Sequence, residues 1–481
     1  MITSKIVFVN LIWKFAERCG SQMISLIVSI ILARILSPDD YGTVAMCMVF
    51  IVLLQVFADS GLGVALIQKK ESDNKDFSTV FFTNVVLACA IYAFIWILAP
   101  FIAEFYSMNG LIWQLRSLSL LIIVNAFRNV QQAYVSKHMM FKYYFLATLS
   151  ASVASAFIGI SMAYTGYGVW SLIAQQLSHG IINTLILWCT VSWRPQCIFS
   201  ISRLKELYSF GWKMLASTLI SSGYDQLWQL IIGKKYSPSD LAFFNQGQKF
   251  PQVIVSNINS SIDSVLFPAM SDIQNNYSRL KDMTRRAIKT SIFIMAPMML
   301  VIVASAQQIV TLLLTEKWLP CVPFLCVFCF NYMFWPVHTT NLNAIKALGR
   351  SDLFLRLEII KAFIGVCILI YTMQISVMAM AYGTIVSGIC SQLINSWPNR
   401  KLLGYGYLQQ LRDFLPSILL AVLASAVSWG TGYAGAMLPL PLVLALQILV
   451  GAAVYLVLCH IFHLEELQYM WQLLKSFRNR G

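Results

Sequence analysis

Charged side chains inside the first apolar run of the sequence are the residues best suited to chemistry. Lys14, Glu17 and Arg18 lie within 12–35, a run that is otherwise apolar enough to cross a membrane. An ionisable group in a membrane-spanning helix costs roughly 2.5–3.5 kcal/mol or more, so it usually faces a protein interior or a wet cavity. Charges placed in this way mark a substrate or ion pathway, as in a transporter.

Two later runs, 210–232 and 241–267, carry the next set of charges. At about 1.5 Å per helical residue, Asp225 and Lys249 both fall in the outer half of the membrane, where they can pair. Two interpretations are open, a static ion pair between the helices and a role in substrate binding or coupling. Both runs are rich in serine, asparagine and glutamine, so we expect them to line a central water-filled cavity.

Several cations have an interfacial alternative. Lys14 and Lys213 lie near the inner starts of their helices, where a lysine can extend to the lipid headgroups instead of facing a cavity. Arg34 lies near the outer face and has the same alternative. Arg18 is deeper, which favours a position inside the cavity.

The sequence lacks the catalytic motifs that are typical of soluble enzymes. It contains neither a GxxxxGK[ST] phosphate loop nor an HExxH zinc motif, which argues against ATP-driven transport by this chain alone. Cys326 and Cys329 form a CxxC without a second pair, so we interpret the cysteines as small buried hydrophobic residues. A polymerase or ligase would be expected to carry a sizeable polar loop with carboxylates, and the sequence has none. We expect no enzymatic activity, no metal and no cofactor.

Composition places these residues in a membrane. Of the 481 residues, 58% are hydrophobic and only 11% are charged, whereas soluble domains are about 25% charged. The apolar runs are about twenty residues long, as a spanning helix requires, and lack the alternation of a β-barrel. The net charge of +14 does not indicate nucleic-acid binding, because no basic soluble module is present to hold a duplex. We therefore expect an all-α polytopic membrane protein.

The apolar runs predict about fourteen transmembrane helices. They lie at 12–35, 43–64, 80–103, 112–134, 144–164, 168–190, 210–232, 241–267, 290–313, 321–345, 357–374, 377–397, 413–433 and 441–462. An even number of spans puts both termini on one side of the membrane. If that side is the cytoplasm, most of the 34 lysines and arginines, Arg128 among them, fall in cytoplasmic segments, in agreement with the positive-inside rule.

An internal repeat divides the chain. Trp13-Lys14 precedes Ser37-Pro38-Asp39-Asp40, and Trp212-Lys213 precedes Ser237-Pro238-Ser239-Asp240 at nearly the same spacing. The repeat predicts two pseudo-symmetric six-helix lobes, 1–195 and 210–400, joined by a cytoplasmic amphipathic linker, 196–209. The last two helices and the C-terminus occupy 401–481. Because both copies begin on the same side, they form a parallel repeat about an axis along the membrane normal.

Four segments carry a resemblance to a known family. They are Leu32–Gly42, Asp59–Gln68, Gly166–Trp170 and Phe210–Trp212, and the likeness extends over almost the whole chain. On these segments the chain resembles the Wzx-type polysaccharide flippases of the multidrug/oligosaccharidyl-lipid/polysaccharide exporter (MOP) superfamily. It is most similar to the branch that moves colanic-acid-like and teichuronic-acid-like repeat units. The resemblance implies a MATE-like, V-shaped pair of bundles around a cationic cavity, working by alternating access.

The resemblance also implies the substrate. It is an undecaprenyl-diphosphate-linked oligosaccharide, moved from the cytoplasmic to the periplasmic leaflet of the bacterial inner membrane for exopolysaccharide, capsule or O-antigen biosynthesis. Since a diphosphate and acidic sugars need cations, the candidate anion contacts are Arg18, Lys249, Lys14, Lys213 and Arg34. The implied energy source is an ion gradient, and the candidate H+ or Na+ sites are Asp225, Glu17 and Asp263. Membrane lipids and the polysaccharide polymerase and chain-length or export proteins are the further implied partners.

Three other functions compete with this one. They are a MATE-like multidrug or small-molecule antiporter, a peptidoglycan-precursor flippase, and a membrane-embedded polymerase or ligase. An antiporter would be expected to have a less basic cavity and a core of twelve spans, whereas this sequence has two further apolar runs.

Overall fold

The computed structural model describes residues 4–69, 71–435 and 437–478. Every regular element among these residues is a helix, which confirms the all-α prediction. The chain divides into two compact units, 1–242 and 243–481.

The first unit contains nine complete helices among its described residues. They are α1 (Ser4–Ile35), α2 (Pro38–Asp59), α3 (Leu62–Gln68), α4 (Asn74–Tyr106), α5 (Leu111–Leu118), α6 (Leu120–Lys137), α7 (Phe141–Tyr164), α8 (Val169–Thr190) and α9 (Ile201–Lys235). Helix α1 packs on α7, α7 packs on α8, and α9 packs on α2, α3 and α4.

The second unit begins within α10 (Pro238–Asp272). It continues with α11 (Tyr277–Ala304), α12 (Ala306–Leu314), a short 3₁₀ helix (Glu316–Cys321), α13 (Val322–Met333), α14 (Trp335–Ala347), α15 (Ser351–Thr372), α16 (Val377–Leu402), α17 (Tyr407–Ala434), α18 (Leu440–Ile461) and α19 (Glu465–Arg478). Helix α17 packs on α11 and α18, so the last two predicted spans belong to this unit.

Each of the fourteen predicted spans falls on one helix or on consecutive helices. Among the described residues, ten helical segments are long and apolar enough to cross a membrane. The predicted spans on α8, α9, α10 and α15 fall below that limit because they carry amides, hydroxyls and charges. The structure is therefore that of a polytopic helical membrane protein, and the number fourteen remains a prediction.

The two Ser-Pro turns of the internal repeat have the same local structure. At the first turn, Asp40 N donates to Ser37 Oγ (3.2 Å) and Ser37 N donates to Asp40 Oδ2 (3.0 Å). At the second, Asp240 N donates to Ser237 Oγ (3.1 Å) and Ser237 N donates to Asp240 Oδ2 (3.2 Å). This reciprocal capping satisfies two N–H groups that a helix start leaves open. Helices α2 and α10 therefore begin in the same way.

The two turns also touch each other within the first unit. Ser239 Oγ donates to Asp39 Oδ1 at 2.6 Å. A Cβ at Gly42 would lie 1.8 Å from the carbonyl oxygen of Pro238, so only glycine allows this approach. The turns are equivalent positions of the repeat, 200 residues apart.

The linker between the predicted lobes continues into a long helix. We expected an amphipathic piece at 196–209, whereas α9 runs without interruption from Ile201 to Lys235. Its first turns are held to the start of α4: Lys69 contacts both Asp76 and Glu206 at 3.1 Å, and Arg203 contacts Asp73 at 3.6 Å. Contacts thus place α9 in the first unit. The lobe boundaries at 195, 209 and 400 follow the sequence repeat and remain predictions.

Two prolines inside helices each leave a backbone carbonyl without its N–H donor, and a side chain from another helix donates to that carbonyl instead. Pro100 has no N–H for the carbonyl of Trp96 one turn earlier in α4, and Arg116 of α5 donates to that oxygen through Nη2 (3.1 Å) and Nε (3.3 Å). The Arg116 guanidinium also lies 4.3 Å from the ring centroid of Trp96. Pro297 in α11 leaves the carbonyl of Phe293 open in the same way, and the buried Tyr455 hydroxyl donates to it at 3.0 Å.

Candidate functional site

The structure joins two of the predicted site residues on α1. Lys14 Nζ donates to Glu17 Oε2 at 2.9 Å, one turn along the helix, and Glu17 is only 8% exposed. The same ammonium lies 4.3 Å from the ring centroid of Tyr144 on α7. Lys14 is therefore engaged by protein groups on two helices, and its predicted anion contact would share the ammonium with Glu17.

The two arginines of α1 differ in exposure. Arg18 is half-buried, and its carbonyl accepts a hydrogen bond from Ser21 Oγ at 3.2 Å. Arg34 is exposed in the last turn of the helix. Their predicted anion contacts remain predictions.

The other predicted site residues lie partly in the first unit and partly in the second. Lys213 and Asp225 are exposed on α9 in the first unit, and Lys249 is half-buried on α10 in the second. The predicted pairing of Asp225 with Lys249 remains a prediction. Asp263, also on α10, accepts a hydrogen bond from Asn343 Nδ2 at 2.8 Å, and Asn343 lies on α14 with 1% exposure.

A polar ladder that the sequence interpretation did not identify joins α2 to α6. Gln55 Nε2 donates to Asp59 Oδ1 at 2.7 Å, and Asn129 Nδ2 donates to the same carboxylate oxygen. Asn125 Nδ2 donates to Gln55 Oε1 at 3.0 Å. Each helix supplies two polar residues one turn apart, so the ladder joins the two helices through side-chain hydrogen bonds.

Next to the ladder lies an arginine that has no hydrogen-bond partner among the described residues. The Nε atom of Arg128 is buried and donates to no atom of the described residues. Asp59 and Tyr144 lie within range of its charge, as does His179, whose Nε2 lies 3.4 Å from Ser152 Oγ. One turn further along α6, Gln132 Nε2 donates to the Tyr144 hydroxyl at 3.2 Å.

The sequence contained a signal for this cluster. Asn125, Arg128, Asn129 and Gln132 recur at three- and four-residue intervals and form a polar stripe on α6. The charge distribution predicts Arg128 as a cytoplasmic cation, and the structure places it inside α6, well before the last residue Lys137. Its side of the membrane remains a prediction. We name the set Asn125, Arg128, Asn129, Gln132, Gln55, Asp59, Tyr144, Lys14 and Glu17 the polar core.

The polar core brings cations, acids and amides together inside an apolar bundle. Guanidinium and ammonium groups bind phosphate or carboxylate, and a shielded carboxylate can carry a proton. Among the described residues, no group of three or more His, Cys, Asp or Glu side chains is arranged to hold a metal ion. The chemistry that this set favours is the binding of charged groups within the membrane.

Known proteins resemble this chain in sequence and in fold. The succinoglycan biosynthesis transport protein ExoT of Rhizobium meliloti (strain 1021) is 23% identical, over 75% of this chain and 73% of its own. The teichuronic acid biosynthesis protein TuaB of Bacillus subtilis (strain 168) is also 23% identical, over 85% of each chain.

Two solved structures show the fold. The lipid II flippase MurJ in an inward closed conformation has a TM-score of 0.73 at 16% identity, covering 95% of this chain and 99% of MurJ. An inward-facing multidrug resistance MATE family transporter of the MOP superfamily has a TM-score of 0.62 at 14% identity, covering 80% and 94%. The fold of this chain is thus of the MurJ and MATE type.

A family model described as "Polysaccharide biosynthesis protein" matches residues 31–323. This match includes α2 to α9, the Ser-Pro turns and all of the polar core except Lys14 and Glu17. Because the match covers more than half of the sequence, the chain belongs to the polysaccharide biosynthesis protein family.

Proposed function

We propose that this protein is a flippase for lipid-linked oligosaccharides. It moves undecaprenyl-diphosphate-linked repeat units from the cytoplasmic to the periplasmic leaflet of a bacterial inner membrane, and it does so by alternating access. Family membership supports this function, as do relatives named for succinoglycan transport and teichuronic acid biosynthesis.

The observation that carries the proposal is the set of cations inside an apolar helical bundle. Arg128 and Arg18 are half-buried within helices of the first unit, and Lys249 is half-buried in α10. A diphosphate and a hydrated glycan need such groups to cross the hydrocarbon layer, while the prenyl chain is soluble in lipid. A carrier of uncharged substrates would gain nothing from these costly residues.

We assign the anion contacts to the residues that the sequence singled out. Arg18 and Lys249 are the principal contacts, with Lys14, Lys213 and Arg34 as further ones. An H+ or Na+ gradient drives the cycle through Asp225, Glu17 or Asp263. The contact between Lys14 and Glu17 supports this division, because a cation bound at the Glu17 carboxylate would compete with the Lys14 ammonium for it.

Deletion of the gene followed by lipid extraction tests the function. We expect lipid-linked repeat units to accumulate, and a membrane-impermeant glycan-modifying reagent should reach them only in inverted vesicles. Expression of the wild-type protein should restore the pool and the surface polysaccharide. Unchanged lipid pools together with a loss of drug resistance would instead identify a MATE-like antiporter.

A further inference from the structure

Arg128 is a cation without a hydrogen-bond acceptor among the described residues of the first unit. Its guanidinium carries five N–H groups, yet it forms no hydrogen bond or ion pair with any described residue, and its Nε is fully buried. A buried N–H without an acceptor is costly, because it has lost its hydrogen bond to water and gained none in return. The side chain is therefore arranged to receive an acceptor from elsewhere.

The nearest acid is held away from Arg128 by neighbouring amides. Asp59 is close enough to act on the charge of Arg128, yet the two side chains form no ion pair. Two amide donors, from Gln55 and Asn129, converge on Asp59 Oδ1 and fix the carboxylate against α6. The other carboxylate oxygen, Oδ2, receives no hydrogen bond from a described residue. The amides thus hold Oδ1 and fix the carboxylate in an orientation that forms no ion pair with the guanidinium.

The surroundings of Arg128 suit an anion with several oxygens. Tyr144 lies within range of the guanidinium charge, and its hydroxyl accepts from Gln132 at 3.2 Å, so the phenolic hydrogen is free to be donated to a ligand. On the same Tyr144 ring lies the Lys14 ammonium, at 4.3 Å from the centroid. The charged and titratable neighbours of the guanidinium are therefore Asp59 on α2, Tyr144 on α7 and His179 on α8, with the Lys14–Glu17 pair on α1 beyond Tyr144.

We propose that Arg128 binds the diphosphate of the lipid-linked substrate, and that Gln55 and Asn129 keep Asp59 from competing with it. This inference rests on the proposed function and adds a binding residue that the sequence did not single out. Arginine suits the task because its planar fork can hold two phosphate oxygens at once. Binding forms hydrogen bonds only, with no covalent step.

Farnesyl diphosphate is a soluble probe for this site, and farnesol is its uncharged counterpart. Isothermal titration with the purified full-length protein in detergent should give a Kd for farnesyl diphosphate that rises about tenfold or more in Arg128→Ala, since a charge-assisted hydrogen bond of about 1.5–3 kcal/mol is lost. The Kd of Arg128→Lys should lie between those of the wild type and Arg128→Ala. Arg350→Ala, which removes a surface arginine paired with Asp352 at 2.9 Å, is the matched control and should bind as wild type does.

The amide donors provide a second test that a purely structural Arg128 would not pass. In Asn129→Leu, Asp59 loses a donor and can turn to Arg128, so the Kd for farnesyl diphosphate should rise about fivefold or more. Adding Asp59→Asn removes the competing charge, and the double variant should return towards the wild-type Kd. Thermal unfolding of each variant, followed by intrinsic fluorescence, separates misfolding from loss of binding.

Three results would overturn the inference. They are equal affinity of wild type and a folded Arg128→Ala, no rescue by Asp59→Asn, and no binding of farnesyl diphosphate or inorganic pyrophosphate to the wild type. A different pair of results would show that the proposed function is wrong while the binding site is right. In that case diphosphate binding would depend on Arg128, yet the deletion strain would keep normal pools of lipid-linked repeat units. Pyrophosphate binding that matches farnesyl diphosphate would show that the headgroup alone is recognised.

Discussion

Arg18 and Arg128 show what a sequence reveals about single residues in a membrane protein. Arg18 stands in the first apolar run, where a charge is conspicuous, and the structure places it half-buried in α1. Arg128 stands among asparagines and glutamines near the end of its run and was counted with the cytoplasmic cations. Its stripe of polar neighbours was visible in the sequence, but the acid that it approaches lies 69 positions earlier, on α2. No local pattern brings those two residues together.

At this scale we predict that removal of single cations stops export. Arg18→Ala and Lys249→Ala should each lower surface polysaccharide about tenfold or more, because each removes a charge-assisted contact worth about 1.5–3 kcal/mol. Immunoblots of membrane fractions should show normal protein levels. Surface polysaccharide equal to that of Arg350→Ala in both variants would reject the two residues as anion contacts.

A further prediction concerns how the cap at the start of α4 makes the stability of the protein depend on pH. Asp73 caps α4 by accepting from Asp76 N at 3.0 Å, and this hydrogen bond, aided by Arg203, lowers the pKa of its carboxyl. A carboxyl with a lowered folded-state pKa stabilises the fold above its unfolded pKa of about 3.9, and that stability is lost as the pH falls through the folded value. Asp73→Asn keeps an acceptor but has no proton to gain. Thermal melts from pH 6 to pH 3 should therefore fall less steeply in Asp73→Asn than in wild type, and parallel curves would contradict this role.

At the scale of elements, the apolar runs gave the positions of the helices but not their breaks. The run 43–64 is divided at Ser60 and Gly61, which have φ values of 49° and 68°. A Cβ at Gly61 would lie 2.3 Å from the carbonyl oxygen of Gly211, so the break lets α3 and α9 approach closely. The sequence indicates tight packing or a hinge here, because Asp59 is followed by small residues, but it does not show that the partner is Gly211, in a helix far along the chain. Both glycines belong to the segments that carry the family resemblance, so these segments mark close helix packing in addition to Asp59 of the polar core.

Arg116, which donates to the backbone carbonyl that Pro100 leaves without a donor in α4, gives an element-scale prediction. Arg116→Leu should destabilise the protein by about 1–3 kcal/mol, since the carbonyl of Trp96 is left without a donor. In the Pro100→Ala background the new N–H can reach that carbonyl, and the same change should cost clearly less. A double-mutant cycle on the free energy of unfolding in mixed micelles measures the difference. Additive effects would show that Arg116 acts through its packing on Trp96 alone.

The contact between the two Ser-Pro turns of the repeat gives a second element-scale prediction. If alternating access separates the repeats at this end, a covalent link between the turns must stop the cycle. Asp39→Cys with Ser239→Cys, in a background without native cysteines, should lose export under oxidation and recover it with a reductant. Each single cysteine variant is the control. Full export by the cross-linked protein would show that this contact never opens.

For the whole molecule, the distribution of basic loops predicts an orientation in the membrane that can be tested directly. Cys197 is exposed in the segment between α8 and α9, and Lys317 is exposed in the 3₁₀ helix of the second unit. With both termini in the cytoplasm, an impermeant maleimide should label Cys197 only in inverted vesicles. A Lys317→Cys variant lacking the other cysteines should be labelled in intact spheroplasts. The reverse pattern would invert the assigned topology.

The contact between the two turns also bears on how such a molecule can arise. If the two halves descend from one gene, positions 39 and 239 were once the same residue in two identical subunits, facing each other across a two-fold axis. Two aspartates would repel there and two serines would leave no charged acceptor, whereas the present Asp39 and Ser239 form an acceptor–donor pair at 2.6 Å. Such a pair is asymmetric and cannot be encoded in a homodimer. On that descent, this hydrogen bond could evolve only after the two copies were joined in one chain.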